Sequence, residues 1–502
     1  MSQVEKIVKD SAIYSASTVI SQLVGVLTSI SMRKFLTPEA MGVWTTLMLI
    51  VSYSLFTELG VFTAIDIKVP YLRGKNVSPE IQNIRDVAFT FAIAISSVLV
   101  IVLFIVSFIL SGRIPGYVIL GLRMIALIIA ATFFYNLYIV MLRADKNFFL
   151  LSKAIVVNSL ATLLFVASLA YLYGIKGMYL ATLFAMVASW AYVKFNSKYT
   201  LKLSLNIGLI KSLSSIGLPI LIAGIAYTVL LSIDKIMIIK MIGAKELGFY
   251  SIAILAMTYT HNFPKLFGVV LFPTMQEEFG RNDSREHVLK YVKQPIFIMA
   301  YVFPVLLAFV YFGVPVLVRY VLPKYIPGID SMKVLLSGCF FISMAPLTSN
   351  FIMTVNKQKT LIPIITSIAL FCLAINYGAI KMGYGLVGVA VATSITYFLY
   401  FAIMYFYVLL HCEKIRSVTK AFLSICIPFA YSLTIVVALE HLAGLQSPLL
   451  KATVQATAFF IAYSPMLWYV NRKTMLIQKI FSKKRTNLPG EILPFDIMRA
   501  EE

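Results

Sequence analysis

Stretches of about 20 mostly apolar residues recur along the whole chain, separated by short polar segments. At 1.5 Å per helical residue, each is long enough to cross a hydrocarbon core of ~30 Å. Fourteen can be drawn, near 11–32, 41–62, 87–111, 117–141, 150–173, 175–195, 212–239, 246–274, 293–318, 331–355, 360–380, 385–409, 419–439 and 450–470. Pro219 marks a tilt or break in the seventh. The first stretch carries Ser11, Ser15, Ser17, Thr18, Ser21 and Gln22, and no small-residue cleavage site follows, so it reads as a helix rather than a cleaved signal. The longest loops, about 63–86 and 275–292, are too small to fold as a domain. The pattern predicts an all-α, polytopic membrane protein with about 14 transmembrane helices.

The chain also resembles itself. Tyr173-Gly174-x-x-Gly177-x-x-x-Ala181-Thr182 returns as Tyr384-Gly385-x-x-Gly388-x-x-x-Ala392-Thr393, 211 residues later. Lys34-x7-Gly42-x-Trp44 returns as Lys240-x7-Gly248-x-Tyr250 at an offset of 206, and Asp145-Lys146 pairs with Asn356-Lys357 at 211. Two copies of a unit of roughly 200 residues in a membrane chain point to a transporter. Six helices return the chain to the same side, so the copies are expected as two parallel six-helix bundles. A pseudo-two-fold along the membrane normal would relate them. The divisions are 1–200 and 201–411 for the lobes, 412–470 for two additional helices and 471–502 for a basic cytoplasmic tail.

Composition sharpens the membrane reading. Only 13% of the 502 residues are charged and 60% are hydrophobic, against roughly 25% charged in soluble domains. The net charge of +22 comes from 43 lysines and arginines. Most lie in the segments that share a side with the N-terminus, which predicts that both termini are cytoplasmic in a cell membrane. Because this charge is spread over many loops, it argues against a nucleic-acid partner. Cys339, Cys372, Cys412 and Cys426 form no CxxC and lack a histidine at metal-ligand spacing, so no metal, disulfide or cofactor is implied. No phosphate loop, HExxH or Ser/His/Asp arrangement is visible, which counts against an enzyme.

Two segments carry a resemblance. Arg33-Lys34-Phe35-Leu36-Thr37-Pro38-Glu39-Ala40-Met41-Gly42-Val43-Trp44, followed by Glu58-Leu59-Gly60-Val61, resembles the opening signature of the O-antigen-type polysaccharide-biosynthesis flippases. Ile233-Asp234-Lys235-Ile236 through Gly243, Glu246-Leu247-Gly248-Phe249-Tyr250-Ser251 resembles the motif that opens the second half of that family, and Leu271-Phe272-Pro273 its later step. With the repeat, the resemblance covers about residues 1–410. It implies a flippase for a lipid-linked oligosaccharide, working in the bilayer with a coupling proton or Na+ and beside other polysaccharide-assembly membrane proteins. The chain lacks the arginine–aspartate pair that marks helix 1 of the lipid II branch, and has two helices more than the usual drug-extruding branch.

Moving a pyrophosphate through the bilayer midplane calls for cations in a wet cavity, and intramembrane charges are functional candidates by default. Lys265, beside His261 and Pro264, is the foremost, with Arg123, Lys153 and Lys235 as further cavity candidates; snorkelling to the interface is the plainer reading of Arg123 and Lys153. Glu58 and Asp234 are candidates for the coupling ion or for structural ion pairs. Asp234 and Lys235 are adjacent, about 100° apart around a helix, and are not expected to cancel across one face. Gly177/Ala181 and Gly388/Ala392 suit close helix packing. Trp44, Tyr117, Tyr173, Trp190, Trp468 and Tyr469 suit interfacial anchoring. The alternatives are a multidrug/cation antiporter, which would carry an acidic, aromatic lumen, and a polytopic glycan ligase or polymerase, which would need a catalytic loop.

Overall fold

The computed structural model describes residues 3–74, 78–282, 284–441 and 447–474. The first half comprises α1 (Gln3–Phe35), α2 (Pro38–Ser54), α3 (Val61–Gly74), α4 (Ser78–Ile109), α5 (Gly116–Ala144), α6 (Phe148–Phe165) and α7 (Tyr171–Asn196). After an extended linker come α8 (Ile207–Leu230), α9 (Ile233–Met241), α10 (Ala244–Asn282), α11 (Arg285–Val321), α12 (Ile329–Ile342), α13 (Ala345–Thr354), α14 (Leu361–Lys381) and α15 (Gly385–Leu409). Helices α16 (Ile415–Glu440) and α17 (Pro448–Thr474) complete the chain's described part.

A helix lies on each of the fourteen apolar stretches. Among the described residues, eleven helical stretches are long and apolar enough to cross a membrane. One of them, Phe148–Asn196, runs through both predicted helices five and six. It passes through a π-helical turn at Val166–Ala170 and bends at Gly174 (φ 55°, ψ −130°). Its repeat partner Gly385 also has a positive φ, 58°, so the strongest sequence echo marks a backbone bend that glycine alone adopts cheaply. The weakest echo needs a one-residue correction. The left-handed residues are Lys146 and Asn356, both at φ 57°, so the backbone equivalence has an offset of 210 there.

Two further expectations change. The segments 63–86 and 275–292 are not loops: α3 and α4 fill most of the first, α10 and α11 most of the second. Their polar residues lie on helices that continue past the apolar core, which a search for apolar runs cannot see. The seventh predicted helix breaks at Leu231-Ser232 rather than at Pro219, which sits inside α8. Membrane helices tolerate an internal proline where neighbours satisfy the freed backbone group.

The chain forms two compact units. The first, residues Met1–Tyr259, Leu317–Cys339 and Asn356–Tyr400, holds the first half together with α8, α9, α14, the start of α10 and most of α12 and α15. Within it, the extended linker is fastened to the first half. Gln82 donates to the Thr200 carbonyl (2.8 Å), the Lys202 N–H donates to Asp86 (2.9 Å) and the Ser204 N–H to Thr90 (2.8 Å). Residues four apart on a helix rise ~6 Å and residues two apart on an extended chain ~6.6 Å, so the two ladders match. Tyr199 completes the strap: its phenol donates to Asp145 (2.7 Å), which also receives Arg73 and Arg85. Burial, then the Asp145 hydrogen bond and charge, push the Tyr199 phenol well above its ordinary value and keep it a donor.

The second unit, Thr260–Val316, Phe340–Val355 and Phe401–Glu502, has its own core. Ala308 and Phe312 of α11 pack with Val436 of α16 and with Phe459 and Tyr463 of α17. The buried Tyr463 hydroxyl donates to the Tyr301 carbonyl (3.1 Å), the partner an enclosed phenol requires. Lys293 pairs with Glu413 at 2.5 Å. Of the basic tail, Arg472 and Lys473 close α17, over the Trp468 and Phe297 rings; the rest of residues 475–502 lies outside the described residues.

Candidate functional site

The two halves meet, within the first unit, along the segments that carry the sequence signatures. Thr37 caps α2 by accepting the Ala40 N–H (3.3 Å), and Pro38 sits in the first turn, where its missing N–H costs nothing. A Cβ placed on Gly42 would lie 1.7 Å from the Ala244 carbonyl oxygen. A Cβ on Gly248 would lie 1.7 Å from the Pro38 carbonyl oxygen. Pro38 and Gly42 become Ala244 and Gly248 at the repeat offset of 206, so each repeat presents its glycine to the helix start of the other. This reciprocity is the signature of an isologous, two-fold contact. Trp44 and Tyr250 follow two residues on and are both buried. Trp44 packs 6.1 Å from the Tyr179 ring rather than anchoring in the lipid interface, because the crossing carries it inward.

Beside this crossing lies Arg33. The sequence places it in a loop, but α1 runs on to Phe35 and buries it to 4% exposure. Its Nε donates to Ser251 Oγ (3.1 Å), Nη2 to the Ser251 carbonyl (2.7 Å) and Nη1 to the Ser29 carbonyl (2.9 Å). Among the described residues no carboxylate pairs with it. A buried guanidinium satisfied only by neutral oxygens keeps its full field for an incoming anion. Tyr259 hydrogen-bonds Ser29 (3.1 Å), and the Tyr325 hydroxyl donates to the Leu36 carbonyl (3.1 Å).

The second half holds a buried polar cluster around Asp234, which is 1% exposed. Its carboxylate accepts the Lys235 N–H (2.8 Å) and the Tyr250 hydroxyl (3.0 Å). Lys235 does reach it, at 3.5 Å, because the side chain folds back over the start of α9 onto the Leu231 carbonyl; the 100° separation does not keep neighbours apart where a helix begins. Cys372 lies within electrostatic reach of Asp234 and accepts from Asn376 (3.2 Å). Asn376 Oδ1, on the same helix one turn from Cys372, and Thr393 Oγ1 of α15 are buried and have no hydrogen-bond partner among the described residues. Buried polar atoms are normally satisfied, so these oxygens are acceptors open to a ligand. Asn376 leaves no sequence pattern and Thr393 appears only as the last residue of the repeat echo, so the sequence marks neither as a site residue; nor does it mark Arg33.

The other candidates are dispersed. Glu58 is a cap: its carboxylate accepts the Phe62 N–H and the Thr63 hydroxyl (3.0 Å) across the left-handed Leu59-Gly60 break between α2 and α3. Gly60 there meets Gly217 of α8, where an added Cβ on Gly217 would lie 2.0 Å from the Gly60 carbonyl. Arg123 donates to Ser107 (3.1 Å) and covers the Phe108 ring, near the end of α4. Lys153 is exposed over the Phe149 ring at 4.3 Å. Lys265 falls within α10, but its side chain lies outside the described residues. Gly177 packs on the Leu169 carbonyl and Gly388 on Tyr384, while Ala181 and Ala392 are buried.

The fold is one known from transporters. A lipid II flippase, MurJ, in an inward closed conformation superposes with a TM-score of 0.68 over 92% of this chain and all of its own, at 13% identity. An inward-facing multidrug resistance MATE family transporter of the MOP superfamily gives 0.65 over 80% of this chain and 96% of its own, also at 13%. A MOP superfamily transporter from Pyrococcus furiosus, described as having a binding pocket of reversed polarity, gives 0.59 at 14% identity, over 81% and 95%. No curated protein sequence matches the chain. The profile of one family matches residues 31–324, more than half of the length and spanning both signature segments, and by it this chain is a member of the polysaccharide biosynthesis protein family.

Proposed function

We propose that the protein moves a lipid-linked (polyprenyl-pyrophosphate) oligosaccharide from the inner to the outer leaflet of the cytoplasmic membrane, for assembly of a surface polysaccharide. The lobes at 1–200 and 201–411 rock about their mutual contact, with both termini cytoplasmic and the 412–470 pair as an appendage. The observation that carries this reading is Arg33, a buried cation between the repeats without a carboxylate partner among the described residues. An anionic pyrophosphate would gain from such a site, whereas a cationic drug would be repelled. Arg123, Lys153, Lys235 and Lys265 remain secondary candidates for the same anion.

The buried Asp234 suits a cation, which favours a coupling role over a substrate role. A proton or Na+ held by the Asp234 carboxylate, with Asn376 and Thr393 as neutral oxygens, would link an ion gradient to lobe movement. Sodium and other hard cations take oxygen ligands of this kind. The multidrug antiporter reading shares the fold, and it rests on that same carboxylate.

Binding separates the two. Purified protein should be stabilised against heat by polyprenyl pyrophosphate more than by the uncharged polyprenol, and Arg33→Gln should remove that difference. Stabilisation by cationic dyes, with no discrimination between pyrophosphate and alcohol, would assign the chain to drug export.

A further inference from the structure

Between α14 and α15 lies an open groove of about 660 Å³, whose walls are almost wholly carbon. Phe371, Ile375 and Ala379 line it from α14, Met382 from the turn after it, and Val387 and Ile395 from α15. Both helices are long and apolar enough to cross a membrane, and in a bilayer a hydrocarbon chain fills such a groove without stranding polar groups. Tyr384, Val391 and Ile395 are exposed along its rim.

Two features select the occupant. The lining runs from Phe371 in α14 to Met382, which caps it, a rise of ~16 Å at 1.5 Å per residue. That matches the depth of one leaflet, half of a ~30 Å core. Next to the lining residue Met382 is Lys381, exposed at the end of α14 with its ammonium 5.8 Å from the Tyr377 ring. Lys381 is the one charged residue between 361 and 410, and among the described residues it is in none of the ion pairs, so an anionic headgroup is its natural complement.

We propose that this groove is a binding site for an anionic phospholipid, one acyl chain lying between α14 and α15 and the phosphate resting on Lys381. In the orientation that the loop charges predict, the lipid belongs to the outer leaflet. The site is independent of the transport reading, since it faces the bilayer rather than the contact between the repeats.

Native mass spectrometry of the full chain, released from detergent after exchange into phosphatidylglycerol and phosphatidylethanolamine mixtures, tests it. Gly378→Leu adds bulk to the groove at a position where a Cβ meets nothing within 4 Å, Lys381→Gln removes the headgroup partner, and Gly313→Leu is a control at another open position on α11. The expected result is one phosphatidylglycerol retained by the wild type and by Gly313→Leu. Retention should fall about fivefold in Lys381→Gln, the loss of one surface cation near a phosphate, and at least as far in Gly378→Leu. Retention that survives Gly378→Leu, equal retention of phosphatidylethanolamine, or displacement of the phospholipid by a polyprenyl phosphate would each overturn the assignment.

Discussion

Replacing Gly42 by alanine puts a methyl group 1.7 Å from the Ala244 carbonyl oxygen, about 1.6 Å inside the ~3.3 Å at which carbon and carbonyl oxygen normally touch. The obstacle is backbone, so no rotamer change relieves it and the helices must part. Overpacking of this kind costs about 1–3 kcal/mol. The helix-propensity gain of alanine, about 1 kcal/mol, accrues whether the halves are together or apart, so it does not offset the clash. An apposed arrangement of the two repeats should therefore lose population by about 5- to 150-fold relative to a separated one. Gly248→Ala makes the same collision with Pro38 and should act alike. Because either change separates the same pair of helix starts, the double variant should add little to either single one, unlike independent sites. Spin labels on Arg113→Cys and Lys324→Cys, both exposed within the first unit, report the separation by pulsed dipolar spectroscopy in nanodiscs. A distance distribution unmoved by Gly42→Ala, or shifts that sum fully in the double variant, would refute the reciprocal contact as the place where the halves close.

Four further outcomes follow from the same geometry. Arg33→Lys keeps the charge but not the fork to Ser251 and Ser29, and stranding a buried carbonyl costs about 1–3 kcal/mol; substrate affinity should fall with only part of the charge effect seen in Arg33→Gln. Asp234→Asn keeps a partner for Tyr250 but removes the ion's charge, so transport should lose its dependence on the ion gradient, while Glu58→Gln should keep it. Glu58→Ala should instead lower thermal stability by about 0.5–2 kcal/mol, the value of a helix cap, because its work is to close the start of α3. The pH profile offers a separate check at Glu413. Burial raises its pKa, but hydrogen bonds from Lys293 and Ser417 and the Lys293 charge outweigh it and hold the carboxyl below its usual range. A depressed folded pKa contributes stability above the unfolded value and loses it as pH falls through the folded one. Glu413→Gln should therefore lower the melting temperature at pH 7 and converge with the wild type at pH below about 4.

Much of the architecture is legible in the chain because a bilayer restricts what apolar stretches can do. The repeat echoes are more informative than their residues suggest: Gly174 and Gly385 mark the same bend, and Gly42 and Gly248 face each other's helix starts. The site is less legible. Arg33 looks like a loop base because sequence cannot show that α1 continues beyond its apolar run. Asp234 and Lys235 meet because the lysine folds over a helix start, a rotamer choice that adjacency does not reveal. Asn376 is a single polar residue within an apolar helix and Thr393 only closes the repeat echo, so what marks them as site residues is burial without a hydrogen-bond partner among the described residues. Glu58 shows the opposite case, where an acid inside the membrane suggests ion coupling and its geometry shows a backbone cap.

The central claim is tested most directly by transfer of a radiolabelled polyprenyl-pyrophosphate oligosaccharide across the bilayer of reconstituted vesicles. The expected result is protein-dependent transfer, driven by a proton or Na+ gradient and suppressed by Arg33→Gln and by Asp234→Asn in variants that still fold. No transfer of any lipid-linked glycan, together with gradient-driven extrusion of a cationic dye, would contradict it.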